Sequence, residues 1–451
     1  MSKILLISHI FPPAIDGGSR VIYKLGQQLE NQGHTTLYLS SNCSSTDDFT
    51  KKHTRFSNNL TLQRSNVLKI PVYHFRRPLR LIEIICIKFL FINPKSYFIN
   101  LIKVYQKGPI FKFFPLLKAT IKIIKFKPDL IVAGPFPTTI ALYAHFLKKI
   151  TNIKDFRPFL RENAPQWRGR GFCKILINAS FHPTDIDFHQ RPLIKALKSA
   201  DYLWTLTQFE TDYFVNNFHI NPNKIILAGN GVDSSFLINP SVLSGHLPLK
   251  KGRHFPLLFQ GRGLRGGFRI LFIGSLSAHK RVDLLIKAFS YLLTNKLINY
   301  SSIQLTIAGQ KTLFYPKIKQ IYDDLPSKIK NKIEFNFNFP QKNLVKLIDS
   351  CDFLVLPSIQ ESFGLVLIES WARGKPVVVS DIPSLSELVT KSKGGLIFEA
   401  DNSVDLVKKM EKIINSPSLR FQYGQNGLKY VKTNYTWKKV SQKICQKTKL
   451  S

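Results

Sequence analysis

Pro357-Ser-Ile-Gln-Glu361-Ser-Phe363-Gly364-Leu365-Val-Leu-Ile-Glu369 carries the strongest signal in the chain. Ahead of it, Phe353-Leu-Val-Leu356 is an apolar run with the length of a buried strand. Behind it, an apolar-periodic segment ends at Arg373-Gly374-Lys375-Pro376, a helix stop. The reading is strand, loop, helix, with Glu361 in the loop near the helix N-terminus and Glu369 in the helix. At about 100° and about 1.5 Å per residue, the two carboxylates lie on roughly the same side, on the order of 10 Å apart. The exposed amides and positive dipole end of a helix favour an anion between them. Such a site suits a ligand with hydroxyls at both ends and negative charge in the middle, and a nucleotide-sugar fits that description.

A plainer account exists for each carboxylate alone. A Glu in a first helical turn stabilises the dipole without any ligand, and a Glu two turns further on is usually solvated surface. The pair, within Glu361-Ser-Phe-Gly and followed by Glu369, resembles the glutamate, seven residues, glutamate signature of retaining nucleotide-sugar glycosyltransferases of the GT-B fold, family four (glycosyl transferases group 1). The resemblance implies an α/β chain made of two Rossmann-like, doubly wound domains facing across a cleft.

Upstream, Arg269-Ile-Leu-Phe-Ile-Gly274 reads as a strand running into Ser275-Leu-Ser-Ala-His-Lys280-Arg281, followed by a helix. This run is similar to the family's second signature, and Lys280 stands where the family's diphosphate-binding Lys stands. By itself Lys280 is an ordinary surface Lys. The family usually has Arg after the glycine; here Ser275 removes one cation, for which Arg281 or backbone amides must compensate. Ser302–Ala308 with Gly309 is the next strand and turn. Ile333–Phe339 is another strand, where a glycine that the family often places near the nucleotide base is Phe337.

At the N-terminus, Lys3–Ser8 reads as a strand. The loop through Asp16-Gly17-Gly18 leads into a helix with Val21, Ile22, Leu25 and Leu29 at helical spacing, closed by Gly33. Gly17-Gly18 is either a tight turn or, as the resemblance implies, the first glycine-rich loop, where backbone approaches a ligand closely. Asp129–Ala133 is a strand. Pro158–Leu160 is read as leading into Arg161-Glu162-Asn-Ala-Pro165, where many family members have Arg-Asp-x-x-Pro with the acidic residue facing the reacting sugar carbon. Glu162 keeps the carboxylate on a longer arm. Strand, helix and strand then follow from Ala200 to Asp233, and Asn230-Gly231-Val-Asp233 is similar to the family's end of the first domain, though Asn-Gly is a turn pair in any case.

The expected organisation is residues 1–237 as the acceptor-side domain, 238–268 as a linker, 269–430 as the nucleotide-sugar domain and 431–451 as a tail helix returning to the first domain. Gly261-Arg-Gly-Leu-Arg-Gly266 spells a dinucleotide fingerprint but precedes a strand instead of following one, so it is read as linker. His182, Asp185, Asp187 and His189 invite a metal reading. The resemblance implies a metal-independent fold, and the segment is read as a polar loop near the acceptor.

A chain of 451 residues, 44% hydrophobic, can bury two cores. Five scattered cysteines without CxxC spacing point to a reducing cytosol rather than to a disulfide or zinc framework. No signal peptide or spanning helix is expected; the uncharged run Leu130–Leu147 is broken by Gly134, Pro135 and Pro137. The net charge of +37, from 65 Lys and Arg against 28 Asp and Glu, calls for an anionic partner or reflects a Lys-, Ile-, Asn- and Phe-rich composition. Between Arg80 and Lys127 ten basic residues face one acid, Glu83, interleaved with Ile, Leu and Phe. That segment is either a peripheral face for an anionic membrane or an insertion with a basic outer face.

The function implied by the resemblance is transfer of a sugar from a nucleoside diphosphate sugar to a hydroxyl on a glycan or lipid-linked acceptor, with retention and with no metal or other cofactor. It would act in the cytoplasm or at the inner face of the cell membrane. Glu361, Lys280 and Glu162 are the candidate catalytic residues; Gly18, Gly274, Ser275, Lys280, Glu361, Phe363, Gly364, Leu365 and Glu369 are the candidate donor-binding residues. The competing readings are a non-catalytic GT-B-like module that holds anionic membrane or glycan, and a nucleic-acid binder suggested by charge alone, for which no aromatic-basic motif is present.

Overall fold

The structure, a computed structural model, describes residues 1–8, 17–41, 67–70, 119, 122–134, 140–151, 173–180, 191–237, 267–295, 303–337, 339–340 and 343–450. The chain divides into two compact units: Met1–Leu206 with Glu210–Ala228 and Ser441–Ser451, and Thr207–Phe209 with Gly229–Val440. Among the described residues no helix is long and apolar enough to cross a membrane.

The first unit is built on a parallel sheet of β1 (Lys3–Ile7), β2 (Thr35–Ser41), β3 (Val67–Ile70), β4 (Leu130–Ala133), β5 (Lys174–Asn178), β6 (Tyr202–Thr205) and β7 (Ile225–Leu227), in the order β3-β2-β1-β4-β5-β6-β7. Its central strands are continuous apolar runs because both faces of a parallel sheet are covered; Ile4–Ile7 and Leu130–Ala133 are all buried. The helix Gly17–Asn31 buries Val21, Ile22, Leu25 and Leu29, the residues its spacing singles out. It ends in a left-handed Gly33, with the His34 amide returning to the Leu29 carbonyl. The last helix, Trp437–Thr448, is tied to the first unit by Gln32 Nε2 donating to Ser441 Oγ at 3.0 Å and Lys174 Nζ donating to the Thr448 carbonyl at 3.2 Å.

Two strands of this sheet were not legible in advance. β3 lies in the segment 41–127, and β5 takes the place beside β4. Both edges of β4 are thus occupied, by β1 and β5; Pro158–Leu160, read as leading into Arg161, lies outside the described residues. β5 is only a short apolar run in the sequence, Ile175-Leu-Ile177, and all three residues are buried in the sheet. Glu162, residues 80–118 and 120–121 of the basic region, the metal-like cluster 182–189 and most of the linker lie outside the described residues.

The second unit carries a six-stranded parallel sheet of β8 (Phe268–Ile273), β9 (Ile303–Gly309), β10 (Ile333–Phe337), β11 (Phe353–Leu356), β12 (Val377–Ser380) and β13 (Gly395–Phe398), ordered β10-β9-β8-β11-β12-β13. Its core is the inner face of the strands with Leu285 and Phe289 from the helix Val282–Thr294 and Met410 from the helix Ser403–Asn415. Gly229 and Gly231 pack within this unit against Tyr435 and Trp437, with Val232 bridged to Thr436.

One device recurs in both units. An Asp just before a strand accepts the amide of the first or second residue of the neighbouring strand: Asp129 from Lys3 at 2.7 Å, Asp201 from Ile175 at 2.7 Å and Asp352 from Arg269 at 2.8 Å. Each satisfies an amide that would otherwise have no partner where the ladder begins, and so fixes strand register at the amino edge of the sheet.

Candidate functional site

The strand order of the second unit runs outward in both directions from β8 and β11, so the gap between them is its topological switch point. In open α/β sheets a ligand crevice forms there, beyond the carboxyl ends of the strands. Two loops meet at this place. The one after β8 runs from Gly274 through a 3-10 turn, Ala278–Lys280, to the helix Val282–Thr294; the one after β11 runs from Pro357 to Gly364, ahead of the helix Leu365–Ala372. The Ile359 amide donates to the His279 carbonyl at 2.9 Å, which joins the loops.

Each loop is also fixed to its own surroundings. The Gly274 amide donates to the Ala308 carbonyl at 3.0 Å, and Leu276 bridges to Lys311. A side chain on Gly309, whose φ is +152°, would put a Cβ 1.7 Å from the Gly274 carbonyl oxygen; the loop after β8 therefore needs glycine on the neighbouring strand. On the other side, Ser384 Oγ donates to the Glu361 carbonyl at 2.5 Å, and Ser380 Oγ donates to the Ser358 carbonyl.

The two loops bring Lys280 and Glu361 together. The Lys280 ammonium is paired with Glu361 Oε2, and the side chains are 17% and 18% exposed. The ion pair is therefore partly removed from water but not enclosed. Beside it is a helix start without a side-chain cap: Gly364, left-handed at φ 80°, is the N-cap of Leu365–Ala372. The amides that a helix start leaves unbonded point their partial positive charge outward there. Gly364 cannot be replaced cheaply, because a Cβ would also meet Leu385 at 2.9 Å.

Glu369 is not the solvated surface carboxylate that its position alone suggests, for it is 3% exposed. Its helix is clamped: Trp371 is fully buried, donates from Nε1 to the Gly394 carbonyl at 2.9 Å and fills the space beside Gly427. Phe363 is 1% exposed and packs edge-on against Tyr435 at 5.3 Å, so it anchors the loop and has only its backbone to offer a ligand.

Ser275 is half-buried and begins a hydrogen-bonded chain, Ser275 Oγ to Ser277 Oγ at 3.1 Å and Ser277 Oγ to His279 Nε2 at 3.3 Å. Of the two compensations considered for its missing cation, Arg281 is already committed. Its side chain pairs with Asp283 at 3.3 Å and with Asp401. Gly18, in the first turn of Gly17–Asn31, belongs to the first unit, where Ser8 Oγ donates to the adjacent Ser19 Oγ at 3.0 Å.

Lys311 was missed from the sequence. It follows the carboxyl end of β9, and its Nζ lies 4.7 Å from the ring centre of Tyr315 and 4.4 Å from that of Phe337. The signal available was a Lys two residues past a strand-ending glycine, which is too common to single out. Among the described residues no group of three or more His, Cys, Asp and Glu is placed to hold a metal ion.

Comparison with known proteins bears on the family and the fold. Residues 259–430 match the family described as glycosyl transferases group 1. An uncharacterized glycosyltransferase of Methanocaldococcus jannaschii is 27% identical over 252 residues, 55% of this chain and 65% of that protein. A D-inositol 3-phosphate glycosyltransferase of Corynebacterium diphtheriae is 22% identical over 247 residues, 54% of this chain and 55% of that one. The chain thus aligns with between half and two thirds of the length of these relatives. The crystal structure of Anabaena HepE in complex with UDP and glucose superposes with a TM-score of 0.64 at 14% identity over all of both chains, which is a likeness of fold.

Proposed function

We propose, on the premise that the chain belongs to the group 1 glycosyltransferases and has the GT-B fold, that it transfers a sugar from a nucleoside diphosphate sugar to a hydroxyl acceptor with retention of configuration. The observation that carries this reading is the Lys280–Glu361 pair at the switch point, beside the uncapped start of Leu365–Ala372. The presence of UDP and glucose in the Anabaena structure supports the donor class.

The bond from the sugar's anomeric carbon to the diphosphate oxygen breaks, a bond to the acceptor oxygen forms, and the acceptor's proton leaves with the diphosphate. The barrier lies in expelling the anion and supporting positive charge on the sugar. Lys280 and the helix amides oppose the developing negative charge, as preorganised donors do in other sites, and in this reading no metal ion is needed for that task. Glu361, once exchanged from Lys280 onto the donor, holds the sugar hydroxyls, and buried Glu369 holds the ribose. Glu162 remains a candidate for the reacting face of the sugar, and Gly18 for close backbone approach to the diphosphate.

The acceptor proposed is a surface glycan or its lipid-linked precursor, met at the inner face of the cell membrane. The net charge of +37 supports an anionic surface or substrate. The test is turnover of a panel of nucleoside diphosphate sugars, with anomeric configuration followed by NMR. Loss of transfer in Glu361→Gln with unchanged unfolding is expected; full activity in that variant overturns the assignment.

A further inference from the structure

We propose that Lys311, held by the rings of Phe337 and Tyr315, reads the nucleobase of the donor by donating to a base carbonyl oxygen, and so selects uracil- or guanine-type donors over adenine. The inference rests on the second unit being the donor-binding one.

Three observations carry it. First, Lys311 is exposed and, among the described residues, has no carboxylate partner. Its Nζ is held instead over two aromatic rings, at 4.7 Å from Tyr315 and 4.4 Å from Phe337. A ring face attracts the ammonium without accepting its N–H groups as a carboxylate would, so donors remain for a ligand. Second, the rings are themselves fixed. Phe335 stacks on Phe337 at 5.4 Å, Tyr315 meets Phe337 edge-on at 5.4 Å, and Tyr322 meets Phe335 edge-on at 5.2 Å. A lysine is ordinarily a floppy side chain, and this cluster limits that freedom before any ligand arrives.

Third, the place along the sheet is right. The Lys311 backbone is bridged to Leu276, inside the loop that carries Lys280, and Thr312 Oγ1 donates to the Leu276 carbonyl at 2.5 Å. Lys311 follows β9 and Phe337 ends β10, one and two strands outward from β8, or roughly 5 and 10 Å at the usual strand spacing. With the sugar at Glu361 and the ribose at Glu369, both on the β11 side, and the diphosphate at Lys280 after β8, the strand ends beyond β8 are the part of the sheet left for the base. Carbonyl oxygens are the strongest acceptors that uracil and guanine present, whereas adenine offers only ring nitrogens.

The experiment is calorimetric titration of the full chain with UDP, GDP and ADP, for the wild type, Lys311→Met, Lys311→Arg and Phe337→Leu. Expected is wild-type binding of UDP or GDP at least tenfold tighter than ADP. Lys311→Met should lose about tenfold toward the preferred nucleotide with ADP unchanged, so that the preference collapses. Lys311→Arg should retain part of it, and Phe337→Leu should weaken it by freeing the ammonium. Undiminished preference in Lys311→Met overturns the base-reading role while leaving the donor site standing, as does a wild type that prefers ADP. A folded wild type that binds none of the three overturns the donor-site reading and this inference with it.

Discussion

Lys280 and Glu361, 81 positions apart, form one ion pair across two loops that the Ile359 amide and the His279 carbonyl join. In the free protein each neutralises the charge the other would bring to a donor. In the proposed function donor binding separates them, with Lys280 moving onto phosphate and Glu361 onto sugar hydroxyls. Lys280→Met should reduce kcat by about 10²–10³, the usual loss for one oxyanion-stabilising donor. Because the pair is not deeply buried, the melting temperature should move only a few degrees. A turnover assay beside thermal unfolding checks both, and wild-type kcat in this variant would remove Lys280 from the chemistry.

Glu369 permits a different kind of test. Its carboxylate is buried in the second turn of a helix clamped by Trp371, so Glu369→Gln keeps the shape and removes the charge. A group that holds the ribose equally in the ground and transition states acts on binding more than on chemistry. The expected outcome is a KM raised about tenfold, near 1.4 kcal/mol, with kcat within a few-fold. If kcat falls and KM stays, Glu369 acts on the reaction and not on the ribose.

The backbone beneath the site is tested by Gly309→Ala. The added Cβ would sit 1.7 Å from the Gly274 carbonyl oxygen, on a backbone angle that side chains rarely adopt. The backbone strain alone costs about 1–3 kcal/mol, and relief of the clash displaces the loop that carries Lys280. Urea unfolding should show a lower midpoint, and nucleotide affinity should fall with it. A variant as stable and as tight-binding as the wild type would mean that the two strand ends are not in contact.

How much of this was legible in the sequence depended on the range of the cause. The strand, loop and helix around Glu361 follow from local apolar runs and a glycine stop, and the structure has them at Phe353–Leu356 and Leu365–Ala372. β5 was invisible because three apolar residues mark a strand only when neighbouring strands bury them. Phe363 looked like part of a ligand loop, but Tyr435, far along the chain, turns it into an anchor. The commitment of Arg281 to Asp401, 120 positions away, had no local signal either. Glu162 remains a sequence reading, since it lies outside the described residues.

Asp352 gives a pH prediction. Burial, which opposes the charged form, raises its pKa above the ordinary carboxylate value, and the hydrogen bond from the Arg269 amide offsets this only in part. The native state then binds the proton more tightly than the unfolded state. Its stabilisation is complete below about pH 4, the unfolded value, and is lost as pH rises through the native value. Asp352→Asn removes this dependence. Across a series of urea titrations from acid to neutral pH, wild-type stability should decline relative to the variant; parallel profiles would show that the Asp352 carboxyl is not shifted.

Ser275 and Arg281 make a final pair of opposed expectations. Arg281 is a cation near the site, but its guanidinium is held by Asp283, which is 11% exposed in its side chain, and by Asp401. Arg281→Met should cost stability, about 1–3 kcal/mol for a mostly buried carboxylate left without its partner, with nucleoside diphosphate affinity unchanged. Ser275→Arg places a new guanidinium directly after Gly274, where Ser275 and Ser277 now share a hydrogen bond. A charge-assisted bond to phosphate is worth about 1.5–3 kcal/mol, so the Kd for a nucleoside diphosphate should tighten about tenfold or more. Calorimetry on the two variants separates the accounts. Tighter binding in Ser275→Arg with none lost in Arg281→Met means that helix amides and Lys280 alone hold the diphosphate in the natural chain. Weaker binding in Arg281→Met means that Arg281 leaves its carboxylates when the donor arrives.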